Sequence, residues 1–270
     1  MGKGGYQQRR IREQRQQEKT QRKQRRRRRR LLTWLLSVVV LGLIGGGTLF
    51  LVRGSGEPKA SSSQSPSPSA SSSACTSPGP DTIGKKTFAL PPCEIINPEH
   101  TYIAHMQTSM GPINLRLDPR LAPKTVNNVV FLAQQGYYDG TIFHRVQKES
   151  DFAIVQGGDP NGDGSGGPGY QYGGETPSPI TKYKRGFIAM ANSGSPDSNG
   201  SQFFIVVKDW PSLPANYTFF GAVDATDKAS FGTLDKMIET KGEPIGNGLG
   251  LRPDPPITLI KVTIEDAGKA

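Results

Sequence analysis

The sequence predicts an all-β dominated domain, a closed barrel accompanied by two isolated helices, set behind a single transmembrane helix and disordered segments. Three observations carry this. From residue 98 onward, short apolar runs recur between Gly, Pro, Asn and Asp turns, a pattern of many short strands rather than of alternating strands and helices. Only the stretches near 123–136 and 230–240 show helical spacing. Residues 31–52 run for 22 positions without a charge.

The chain opens on a basic tail. Residues 1–30 hold fourteen Lys and Arg against Glu13 and Glu18, so this segment carries +12 and the remainder of a +10 chain carries −2. The high pI therefore describes the tail. Its mixture of Gln and Arg has no apolar face, which predicts a disordered cytoplasmic segment attracted to anionic lipid. Nothing beyond Tyr6 supplies an aromatic for base stacking, and no specific nucleic-acid partner is expected.

The apolar stretch 31–52, LLTWLLSVVVLGLIGGGTLFLV, spans a hydrocarbon core of roughly 30 Å at ~1.5 Å per residue. Six arginines precede it and Arg53 follows, which places the N-terminus in the cytoplasm and the later domain outside the cell membrane. A cleaved signal peptide has the same order of parts. The reading favours an uncleaved single-pass anchor, because the run is long and lacks a small-residue cleavage pattern.

Residues 53–97 read as a Ser/Pro-rich linker; nine of the fourteen residues in 61–74 are serine, too little apolar surface to offset ordering entropy. The only two cysteines, Cys75 and Cys93, lie at its end, and in an exported segment a disulfide between them is plausible.

In the domain at 98–270, TYIAHMQT and INLRLD flank Met-Gly-Pro and alternate with period two, a β-hairpin. A helix follows in APKTVNNVVFLAQQG, with Pro123 near its start and Gly136 at its stop. TIFHRV, FAIVQGG, GFIAMA, SQFFIVV and TFFGAV read as strands; a second helix near 230–240 precedes a last strand in ITLIKVTIEDA.

The stretches GTIFHRV (140–146), VQGGDPNGDGSGGPG (155–169), MANSGSPDSNGSQFFI (190–205) and YTFFGAV (217–223) resemble the cyclophilins, peptidyl-prolyl cis-trans isomerases, in collinear order across about 100–267. The resemblance implies an eight-stranded antiparallel barrel capped by two helices, proline-containing polypeptides as substrates, no cofactor or metal, and a monomer. It also implies roles for individual residues. Arg145 becomes the electrostatic catalyst; Phe204 and Leu213 line a proline pocket with Tyr217 at its rim. Gln156, Asn192 and Gln202 hold the substrate backbone, and Ala191 and Ser193 belong to a neighbouring groove. The alternative is a non-catalytic module that binds proline-containing segments in the same groove.

The residues agree with chemistry that needs no nucleophile: His100, His105 and His144 show no metal-ligand spacing, and no Ser-His-Asp arrangement is evident. Asp159, Asn161, Asp163 and Gly164 match the start of a calcium loop, but Tyr170 stands at the twelfth position where a bidentate Glu is needed, so a glycine-rich turn is expected. In SQFF, adjacent aromatics face opposite sides of a strand, which makes Phe203 core and Phe204 pocket.

Three departures stand out against the resemblance. Ten residues separate Arg145 from Gln156 where the family pattern has seven. Either Phe152 takes the place of a pocket aromatic or the wall is reduced to Ala153 and Ile154; alternation puts Ile154 on the face of Gln156. In WPSLPANYTFFG, Ser212 stands where many relatives have Trp, Trp210 lies two places early, and Tyr217 takes a His position, so weak cyclosporin binding is expected. SGSPDSNGSQ carries one extra turn residue.

Overall fold

The computed structural model describes residues 75–175 and 182–269. The basic tail, the apolar stretch 31–52 and the spacer up to residue 74 lie outside the described residues. Among the described residues no helix is long and apolar enough to cross a membrane.

In chain order the elements are β1 (His100–Thr108), β2 (Gly111–Leu117), α1 (Pro123–Gln134), β3 (Thr141–Phe143), β4 (Arg145–Lys148), β5 (Ala153–Gly157), β6 (Phe187–Met190), β7 (Phe203–Lys208) and β8 (Phe219–Ala222). Then come α2 (Lys228–Ile238), β9 (Gly242–Pro244), β10 (Leu251–Pro253) and β11 (Ile257–Lys269). The strands form one eleven-stranded sheet in the order β3-β11-β1-β2-β8-β6-β7-β5-β4-β10-β9.

The closed eight-stranded barrel is thereby corrected to an eleven-stranded sheet whose ladder is open, with β3 and β9 at its ends. The count differs for two reasons. TIFHRV divides at His144: its first half pairs with β11 and its second with β5. The segment 242–253 adds β9 and β10 beside β4. Because one residue joins β3 to β4, and these strands lie near opposite ends of the order, the sheet curls back on itself.

Both helices match their expected places. α1 begins with Pro123, whose missing N–H is no loss in a first turn, but Ala122 before it offers no side-chain cap. The carboxylate of Glu175 does this from fifty residues away, accepting from the Lys124 N–H at 2.7 Å and the Thr125 N–H at 3.1 Å. α2 carries its own cap: Asp227 Oδ1 accepts from the Ser230 N–H at 3.0 Å.

β7 is apolar on successive residues because both of its faces are covered. Phe203, Ile205 and Val207 face the main core with Ala153 and Val155 of β5, whereas Phe204 and Val206 face a second cluster with Ile154. Residues 75–97, read above with the linker, pack on the domain: Phe88 and Ile96 join the main core, and Phe88 meets Phe131 edge-on at 5.2 Å. Cys75 and Cys93 are bonded to each other, closing this arm.

Candidate active site

Arg145, Gln156 and Phe204 stand in one row across β4, β5 and β7, because Arg145 opposes Gln156 and Gln156 opposes Phe204 in the ladders. Directly opposed residues share a face of the sheet, so the ladder itself places a cation, an amide and a ring side by side.

The guanidinium is held on three sides. Nη1 donates to Gln156 Oε1 at 2.9 Å, Nε donates to the Leu249 carbonyl at 2.6 Å, and Nη2 donates to Gln147 Oε1. Burial lowers the Arg145 pKa from its ordinary value and Tyr217 opposes that shift; a guanidinium remains a cation at neutral pH. From Gln156 the network runs on: its Nε2 donates to Gln202 Oε1 at 3.1 Å, and Gln202 Nε2 donates to the carbonyls of Gly164 and Gly166 at 3.0 and 2.9 Å.

The glycine-rich loop receiving that amide is organised by Asp159, which is fully buried. Its carboxylate accepts from the N–H groups of Asn161, Asp163 and Gly164 at 2.8, 3.1 and 2.6 Å, so the calcium-like string is a turn closed on its own carboxylate. Gly158 at the loop's start has φ +82, and a Cβ there would lie 2.5 Å from the Ser201 carbonyl oxygen; only glycine permits this approach.

Beside the polar row lies the second apolar cluster: Ile154, Tyr183, Ala189, Phe204, Val206 and Leu213, with Ala191, Trp210 and Tyr217 packed against it. Tyr217 stands perpendicular to Phe204 at 5.3 Å. Burial pushes the Tyr183 hydroxyl up to about 12, so it stays protonated and donates to the Tyr217 carbonyl at 2.7 Å, fixing the rim. A groove of about 640 Å³ continues from this cluster, lined by Gln156, Gln202, Ala191, Asn192, Ser193 and the 164–169 loop.

Most residues singled out from sequence therefore lie together: Arg145, Gln156 and Gln202 in the polar row, Ile154, Phe204, Leu213 and Tyr217 in the apolar cluster, and Ala191 where cluster and groove meet. Two are placed differently. Phe152 lies one layer outside the cluster, stacked face to face on Trp210 at 3.8 Å with 4° between the planes, and Trp210 in turn packs on the cluster. The Asn192 side chain is engaged within its own loops, donating to the Asn216 carbonyl at 3.0 Å and accepting from the Gly194 N–H at 3.1 Å, while the residue still lines the groove. Sequence reasoning missed Gln147, the Leu249 carbonyl and Tyr183. An interior Gln two places after Arg145 was the one available signal, since i and i+2 share a strand face.

Comparison with known proteins identifies the family. The model of the family described as cyclophilin type peptidyl-prolyl cis-trans isomerase/CLD matches residues 103–264. The probable peptidyl-prolyl cis-trans isomerase B of Mycobacterium tuberculosis (strain ATCC 25618 / H37Rv) is 41% identical over 172 residues, covering 59% of this chain and 53% of that protein. Its namesake in Mycobacterium leprae (strain TN) is 42% identical over 176 residues, covering 61% and 56%. The chain spans about half the length of these curated relatives. A crystal structure of a Cryptosporidium parvum cyclophilin type peptidyl-prolyl cis-trans isomerase, determined in the presence of the dipeptide Ala-Pro, superposes with a TM-score of 0.52 at 32% identity, covering 61% of this chain and 99% of that one. On the match over 103–264, this chain belongs to the cyclophilin-type peptidyl-prolyl cis-trans isomerase family.

Proposed function

We propose that this chain catalyses cis-trans isomerisation of X-Pro bonds, with Arg145 stabilising the twisted amide. An amide resists rotation by about 18–20 kcal/mol because the nitrogen lone pair is shared with the carbonyl, and uncatalysed X-Pro rotation takes tens of seconds. Twisting returns the lone pair to the prolyl nitrogen. A fixed cationic donor set against that nitrogen lowers the twisted state more than either planar form, without nucleophile or proton transfer.

The observation that carries the reading is the row in which the Arg145 guanidinium lies beside Gln156 and Phe204. The apolar cluster of Phe204, Leu213 and Ile154 receives the proline ring, and Gln156, Gln202 and the backbone at 191–193 hold the flanking peptide in the groove. Arg145→Ala is expected to lower kcat/KM on an X-Pro peptide by about 10²- to 10³-fold, the cost of losing one preorganised donor, with the melting transition retained. NMR exchange or a protease-coupled assay reads this directly. Equal rates for wild type and Arg145→Ala, both at the uncatalysed value, would show a binding module instead.

We further propose that the site acts outside the cytoplasmic membrane, on polypeptides that fold after export. The charge-free stretch 31–52 behind six arginines supports this, as does the Cys75–Cys93 bond, which persists in oxidising compartments. Protease added to intact cells should remove the domain and leave a membrane-bound basic fragment; complete protection of the domain would reject the placement.

A further inference from the structure

We propose that Gln147 is a positioning residue for Arg145, gripping one edge of the guanidinium so that its terminal N–H groups are presented to substrate. The inference rests on the isomerase reading above and adds a residue to it.

An arginine has five N–H donors in a planar fork. Three are engaged here, by Gln156, Leu249 and Gln147, which leaves one on each terminal nitrogen. Nε and Nη2 share one edge of the plane. The Leu249 carbonyl and Gln147 Oε1 therefore grip that edge side by side, and two contacts on one edge fix the orientation of the plane as one contact does not.

The geometry around Gln147 suits this task. It stands two residues after Arg145 on β4 and is buried, where an amide must find partners. Its Nε2 donates to the Gly248 carbonyl at 3.3 Å, which turns its Oε1 toward the guanidinium. The 248–250 segment is itself seated on β4. Leu251 pairs with Val146, and Gly250, at φ +104, passes so near that a Cβ would lie 2.3 Å from the Val146 carbonyl oxygen. Gln147 thus links the guanidinium to a backbone segment fixed by the same strand.

The test uses the full chain, wild type and Gln147→Met, which keeps the length and flexibility of the side chain and removes the acceptor. The expected result is a fall in kcat of about tenfold with KM changed by less than about twofold, because misplaced geometry weakens the transition state more than ground-state binding. In an Arg145→Ala background, Gln147→Met should have no further effect, since its action passes through that arginine. Additive effects in this cycle would overturn the proposal, as would a Gln147→Met variant equal to an active wild type. A wild type without turnover would overturn the isomerase reading and this proposal with it. If Gln147→Met does not fold, the folded wild type still decides: the Arg145 Nη1 and Nη2 signals in side-chain NMR should be resolved, and averaging by fast rotation would refute the grip.

Discussion

Phe203 and Phe204 are consecutive residues with almost equal exposure, 1% and 4%, yet they face two different regions of the molecule. Phe203 meets Tyr138 and Phe143 edge-on at 5.8 and 6.1 Å, inside a core shared by α1, α2 and most of the sheet. Phe204 meets Tyr217 and Tyr183 at 5.3 and 6.2 Å, in the smaller second cluster, which Trp210, Leu213 and Tyr217 of the 209–217 segment edge. Burial alone does not separate the two roles. What surrounds the ring does: Phe203 is enclosed by helices and sheet, and Phe204 by a small cluster of strand and loop residues beside a polar row.

Truncating each ring breaks or upholds that contrast. Phe203→Ala is expected to destabilise the fold by about 3–5 kcal/mol, the usual cost of a large cavity in a packed core, and to leave the kinetics of the surviving folded fraction intact. Phe204→Ala is expected to lose less stability, because the smaller cluster can collapse or admit water, and to lower kcat/KM by at least about tenfold through the proline pocket. Denaturant melts and isomerase assays on both variants decide the matter. A Phe204→Ala protein with full turnover would end the assignment of this face to substrate.

The next contrast lies within the site face, between the ring that touches the pocket and the pair that backs it. Phe152 and Trp210 are the two aromatics that the sequence leaves out of register, one displaced by the long 146–155 stretch and the other two places early. The structure makes them partners in one parallel stack. A double-mutant cycle between Phe152→Ala and Trp210→Ala should give a coupling of about 0.5–1.5 kcal/mol in stability, in the range found for paired rings. A coupling near zero would mean that each ring packs independently.

These cases also show what the sequence made legible. The alternation in SQFF separated Phe203 in the main core from Phe204 in the second cluster because the strand is regular there, and the motifs around Arg145, Gln156 and Gln202 hold residues that meet in the polar row. Phe152 resisted counting because the β5–β7 register slips between Ala153 and Ile154, with Ala153 opposite Lys208 and Ile154 opposite Val206. Leu249 could not be found at all: it reaches Arg145 through a backbone carbonyl 104 residues away, which no side-chain pattern encodes. The arm at 75–97 was hidden by composition. Phe88 and Ile96 stand in the short apolar runs Phe88-Ala89-Leu90 and Ile95-Ile96, which are too brief to show a period, and tertiary packing brings them into the core. The strand count moved for a similar reason, since one apolar run split at His144 and polar, Gly-rich 242–253 supplied two strands without alternation.

The smallest expected effect sharpens the contrast from the far side of the sheet. His105 on β1 has both ring nitrogens against acceptors, Asn114 Oδ1 at 2.9 Å and Glu265 Oε2 at 3.0 Å. Asn114 Nδ2 donates to Asp227 Oδ2, so its oxygen is the atom turned to the histidine. Two facing acceptors favour the doubly protonated ring, and the Asn114 hydrogen bond followed by that of Glu265 raises the His105 pKa above its ordinary value. A pKa raised by folding means that the folded state holds the proton more tightly than the unfolded chain. The resulting stability is complete below the unfolded value near 6.5 and is lost as pH rises through the folded value. The side chain is 42% exposed, so solvent limits the contribution to about 1 kcal/mol or less. His105→Gln should accordingly lower the melting temperature slightly at pH 6 and less at pH 8, each relative to wild type at the same pH, and turnover at fixed pH should be equal in both proteins. A change in turnover would tie this remote face to the site and remove the division between framework and groove.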